Sequence, residues 1–102
     1  MARLVVLYKT PKDAISFDKY YVEKHIPIAK KIPGLRKFEV SHGAVNSPGG
    51  ASDVHLIAIL HFDDVASIQQ AFASPDGQKA TADVQTFATG GADILIFDSR
   101  DV

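Results

Sequence analysis

No cysteine occurs among the 102 residues. That absence removes disulfides, thiolate metal sites and thiol nucleophiles, and it suits a reducing compartment. A dominant charge is also lacking: eleven Lys and Arg oppose twelve Asp and Glu, for a formal net charge of -1. No overall field would draw the chain to nucleic acid or to an anionic membrane, so neither is expected as a partner. Long hydrophobic runs are missing too. The N-terminal "MARLVVLYKT" holds only five consecutive apolar residues, too few for a signal-peptide core or a membrane span. A cytoplasmic protein is expected. Nor is there a phosphate-binding glycine loop, an HExxH helix or a nucleophile elbow.

What is present fits one domain over residues 1–102, with 46% hydrophobic and 23% charged residues and length for a single core. Leu4 to Tyr8 is a β-branched and aromatic run that reads as a buried strand. Thr10 is placed to cap a helix behind it, Pro11 to open that helix, and Asp13 to complete a box-like arrangement at the positive end of its dipole. The helix is expected to reach about Ile26, because Pro27 removes a backbone donor, and Pro33-Gly34 is a stop. "RKFEVSHGAV" and "DVHLIAILHF" flank "NSPGGAS" and read as a hairpin. Asp63 or Asp64 caps a second helix with Val65, Ile68, Ala71 and Phe72 on one face. Ser74 and Pro75 open a further one, Gly90-Gly91 closes it, and "ADILIFD" is the last strand. Strand, helix, strand, strand, helix, strand is the order of the ferredoxin-like βαββαβ plait, an α+β fold with a four-stranded antiparallel sheet and helices on one face.

The third strand carries Leu56, Ala58, Leu60 and Phe62 on one side, and Ile57 and Ile59 on the other. A sheet with one wet face alternates apolar with polar. Here both faces are apolar, so the face away from the helices needs a cover. A second copy is the simplest one, and a homodimer through the sheet faces is expected.

Chemistry must come from four histidines, three tyrosines and a few charges. His25 follows Tyr21 by four residues and Phe17 by eight, which places all three on one helix face. A histidine among aromatics near a helix end can be tuned toward neutral pH and act as acid or base; the plainer role is to cap carbonyls freed by Pro27. His55 and His61 are expected on one face of the third strand. At about 3.3 Å per residue they stand roughly 20 Å apart, too far to share a metal, so no metal site is expected. His42 falls in the preceding strand, in a register that the residues leave open. Tyr8 ends the first strand, where a phenol reaches a cavity mouth. Tyr20 and Tyr21 diverge by about 100° on a helix, and the spacing favours Tyr21 as the one that turns inward.

"FDKYYVEKHIPIA" followed by "PGL" resembles the EthD family signature, with Phe17, Tyr20, Tyr21, His25, Pro27, Pro33 and Gly34 on matching positions. "SPDGQKATADVQTFATGG" is similar to that family's second segment, through Ser74, Pro75, Asp76, Gly77, Asp83, Phe87 and Ala88. The resemblance implies a dimeric α/β barrel. The family's name comes from a member associated with ether degradation that accompanies an oxygenase system, and similar barrels include cofactor-free monooxygenases, cyclases and a lactone isomerase. Two readings follow. One is an enzyme without metal or cofactor, a monooxygenase or a cyclase/isomerase, with His25 as acid/base and Tyr8, Tyr21, His42, His55 and His61 around a small apolar or aromatic substrate. The other is a non-catalytic ligand-binding or accessory protein that supports an oxygenase.

Overall fold

The computed structural model describes residues 1–102. Its elements are β1 (Ala2–Lys9), α1 (Ala14–Tyr20), a π-helical turn (Tyr21–His25), α2 (Ile26–Ala29), β2 (Lys37–Val40), β3 (Asn46–Ser47), β4 (Gly50–Ala51), β5 (Val54–Phe62), α3 (Val65–Ala73), α4 (Pro75–Phe87) and β6 (Ala92–Asp98). The main sheet is antiparallel in the order β2-β5-β1-β6. This is the ferredoxin-like plait. No helix is long and apolar enough to cross a membrane.

Strand period and burial agree along β1. Ala2, Leu4, Val6 and Tyr8 point under the helices and are buried, and the alternate residues are half-buried on the opposite face. Across the ladder Leu4 meets Leu60 and Val6 meets Ala58, so the helix-facing core continues into β5. Phe62 and Ile68 are fully buried there, each worth about 1.5–3 kcal/mol relative to exposure. The opposite face carries Val5, Leu7, Ile57 and Ile59, and on β6 Leu95 and Phe97 are 52% and 44% exposed.

Helix starts follow local chemistry, with one correction. Asp13, not Thr10, is the first cap: its carboxylate accepts from the Ser16 N–H at 3.1 Å. Thr10 instead ties β1 to the chain before β5, its hydroxyl and its N–H both donating to the Asp53 carbonyl. Asp64 caps α3 and Ser74 caps α4, where Pro75 needs no N–H partner.

Pro27 does not end the first helical region either. The Ile26 N–H reaches back to the Tyr21 carbonyl, one residue further than in an α-helix, and this wider turn lets α2 restart with Pro27 in its first turn. There the missing N–H costs nothing. The region therefore runs unbroken from Ala14 to Ala29 and holds His25 one turn before its end, so His25 is no C-cap. The hairpin connection is also more ordered than a loop, since β3 and β4 pair within it.

Candidate active site

Five aromatic rings form the floor under the helices. Tyr8 comes from β1, Phe17 from α1, Tyr21 and His25 from the π turn, and Phe87 from α4. Tyr8 and Tyr21 meet edge to face at 5.5 Å, Phe17 and Tyr21 stack at 5.8 Å, and His25 lies 4.7 Å from Phe87. Tyr8, Phe17, Tyr21, His25 and Phe87 are all buried. The i, i+4, i+8 spacing of Phe17, Tyr21 and His25 thus survives the π turn, which keeps all three side chains inward.

His25 is the one buried polar or charged residue. Its Nδ1 donates to Asp83 Oδ2 at 2.9 Å, and Tyr20 donates its hydroxyl to Asp83 Oδ1 at 2.7 Å. Asp83 lies on α4 four residues before Phe87, so one helix supplies both the carboxylate behind His25 and the ring beside it. With Nδ1 held by a carboxylate, the tautomer is set: Nδ1 carries the proton and Nε2 keeps its lone pair. Burial pushes the His25 pKa below the ordinary histidine value, and the hydrogen bond and charge of Asp83 pull it back in part. The imidazole is therefore neutral and basic at neutral pH.

His25 lines a cavity of about 220 Å³ whose walls include Val6, Tyr8, Tyr21, Leu60 and Val84. Both phenols are driven to high pKa, chiefly by burial, so they are hydrogen-bond donors and not bases. Tyr21 is 1% exposed and its hydroxyl has no hydrogen-bond partner. The Tyr8 phenol lies beside it and the contact between the two hydroxyls adds to the raised Tyr21 pKa, but the pair falls outside the geometry of a full hydrogen bond. A buried hydroxyl without a partner is uncommon in folded chains and marks a site for a ligand atom or water.

A second hollow, a cleft of about 520 Å³, lies between the helical region and the β2–β5 connection. His55 lines it, with Nε2 2.7 Å from Asp18 Oδ1 and its ring against Phe17. The expectation that His55 and His61 share a face is therefore wrong. The β1–β5 register slips between Tyr8 and Lys9, and this bulge re-aims the end of β5 so that His55 turns to the helices. His61 stays on the opposite face beside Glu39, whose carboxylate it holds below its usual range. His42 lies past the end of β2, exposed on the rim of the cleft. No three His, Asp or Glu side chains come together as a metal cluster.

Tyr20 and Asp83 are the residues that spacing undervalues. Tyr20 turns partly inward through Asp83, so both tyrosines of the pair serve the site. Asp83 could have been noticed as a carboxylate beside the apolar stripe of Ala80, Val84 and Phe87, where an unpaired charge would be costly.

Residues 9–91 match the EthD domain. An uncharacterized 11.0 kDa protein from the thcB-thcC intergenic region of Rhodococcus erythropolis is 39% identical over 103 residues, covering 100% of this chain and 98% of its own. A crystal structure of an EthD family protein from Bacillus halodurans superposes with a TM-score of 0.90 at 34% identity, over 98% of this chain and 99% of the other. SnoaB, described as a cofactor-independent oxygenase from Streptomyces nogalater, shares the fold at a TM-score of 0.69 and 12% identity, over 99% and 94% of the two chains.

Proposed function

The chain belongs to the EthD family, and we propose that it is an enzyme that moves protons on a small, largely apolar, oxygen-bearing molecule held against His25. One observation carries this reading: a buried histidine that lines an apolar cavity, its Nδ1 fixed by Asp83 and its Nε2 without a hydrogen bond in the fold. A neutral Nε2 can take a proton from a phenol or an activated C–H of the substrate, and Asp83 stabilises the imidazolium that results. Tyr8 and Tyr21 supply hydroxyls to an oxygen that gains charge as the proton leaves. The resulting anion can react with dioxygen, as suits a relative of the fold described as a cofactor-independent oxygenase, or close or shift a ring. Both outcomes begin with the same proton transfer, and neither asks for a metal ligand set.

The exposed apolar face of the sheet supports a homodimer. Val5, Leu7, Ile57, Ile59, Leu95 and Phe97 share that face, and an exposed apolar patch of this kind marks a surface for association. Two solved structures that share the fold at 17% and 13% identity are described as dimeric. Sedimentation is expected to give twice the 11.0 kDa chain mass; a monomer at micromolar concentration contradicts this.

The test of chemistry is a screen of phenolic and diketone compounds for dioxygen uptake or product formation, followed by His25→Ala. Turnover is expected to drop on the order of 10²–10⁴-fold with the dimer mass unchanged. Binding without turnover in the wild type would favour the accessory-protein reading instead.

A further inference from the structure

The 220 Å³ cavity beside His25 is smaller than the ~300–1,000 Å³ of ordinary small-molecule sites. The neighbouring cleft of about 520 Å³ shares one wall with it, Tyr21, which lines both hollows. Tyr21 is also the residue with the unpartnered buried hydroxyl. Tyr21 is buried between the two hollows, its hydroxyl sealed from both, so it is the side chain that a ligand reaching from one to the other would displace and could then bond to.

The two hollows differ in character. Around His25 the surface is aliphatic and aromatic, with Thr81 a polar exception. The cleft presents His42 and Asn46 exposed on its rim, and His55, which keeps Nδ1 after giving Nε2 to Asp18. No Lys or Arg lines either hollow, and Asp18 offsets any charge on His55. An anionic headgroup would meet no fixed cation there. The polar end that fits is neutral, a hydroxyl or a carbonyl.

We infer that the two hollows form one bipartite site for an elongated, uncharged ligand, its reacting ring against His25 and its oxygenated far end passing Tyr21 into the cleft under the β2–β5 connection. The inference rests on the reading of His25 as the reacting group, and it specifies what kind of molecule that group meets. The β3–β4 hairpin then serves as the outer wall of the site, and His42 and His55 select for the far end of the substrate without touching the reacting atoms.

Two phenolic probes separate the parts: 1-naphthol, compact enough for the inner cavity, and resveratrol, a longer molecule with hydroxyls at both ends. Their binding is followed by fluorescence on the wild-type dimer and on Ala51→Trp, which fills the cleft from β4. Resveratrol affinity is expected to fall tenfold or more while that of 1-naphthol stays within twofold. Ala44→Trp, in the exposed connection, repeats the test should Ala51→Trp not fold. Tyr21→Phe is expected to weaken both phenols, and to leave naphthalene, which has no hydroxyl, unchanged. Equal losses for both probes in the cleft variants, no loss for either, or no resveratrol binding to the wild type would each overturn the bipartite site. His25→Ala answers separately: lost turnover with both probes still bound leaves the bipartite site standing, and retained turnover removes the catalytic reading while the probe results keep their meaning.

Discussion

Replacing Tyr21 by phenylalanine is expected to stabilise the ligand-free protein. The ring is 1% exposed, stacked on Phe17 and packed edge to face with Tyr8, and phenylalanine keeps all of those contacts. What disappears is a hydroxyl with no hydrogen-bond partner in the fold. A buried polar group left unsatisfied costs about 1–3 kcal/mol, and the small void left by one oxygen returns part of that gain. A net gain of about 1 kcal/mol corresponds to a rise of roughly 4–8 °C in Tm for a domain near this length. Urea titration and calorimetry of the two proteins at equal concentration measure it, equal because an associating chain has a concentration-dependent midpoint. The rival case has the opposite sign. A hydroxyl bonded to Tyr8 would cost about 0.5–1.5 kcal/mol when removed, so a lower Tm for Tyr21→Phe would refute the orphan hydroxyl and the ligand role assigned to it. A gain in stability paired with weaker phenol binding would show a position held for function at the expense of the fold.

Three further outcomes follow from the same geometry. In Asp83→Asn the fold is retained, because an amide can still accept from Nδ1 and donate to the Tyr20 oxygen; with the carboxylate charge gone, the His25 pKa drops further by NMR and kcat falls more than KM changes. Gly77→Ala is expected to destabilise by about 1–3 kcal/mol in urea titration, although alanine is ordinarily the better helix former. Its Cβ would overlap the Ala71 carbonyl oxygen and come within 2.6 Å of the Phe72 Cα, forcing α3 and α4 apart. Stability is expected to fall with acid because of His25: its folded pKa lies below the unfolded value, so the unfolded chain binds the proton first. The contribution is complete above about pH 6.5 and is lost as pH falls through the folded pKa. His25→Phe should flatten that part of the denaturation profile.

Strand order was legible because caps and stops were written locally, by Asp64, Ser74 and Pro75, and because they bound short β-branched and aromatic runs such as Leu4 to Tyr8 that read as strands. The placement of His25 beside Tyr21 and Phe17 was legible from the four-residue spacing. Three features escaped for physical reasons. The bulge opposite Tyr8 and Lys9 depends on pairing between distant strands, so the turn of His55 toward Asp18 could not be read from strand parity. The π turn arises from tertiary packing that rewards keeping Tyr21 and His25 inward past Pro27, against the local tendency of proline to end a helix. The partnership of His25 with Asp83 joins residues 58 apart in sequence, and only the packing of α4 on the first helical region brings them together.

The proposed chemistry requires His25 to be a neutral imidazole on the wall of the apolar cavity, protonated on Nδ1 by its tie to Asp83. Nitrogen-15 NMR of the imidazole across a pH titration reads both parts at once. One ring is expected with its proton on Nδ1 and a midpoint below the ordinary histidine value of about 6.5, shifting to still lower pH in Asp83→Asn. A midpoint at or above 6.5, or a proton on Nε2 at neutral pH, would contradict it.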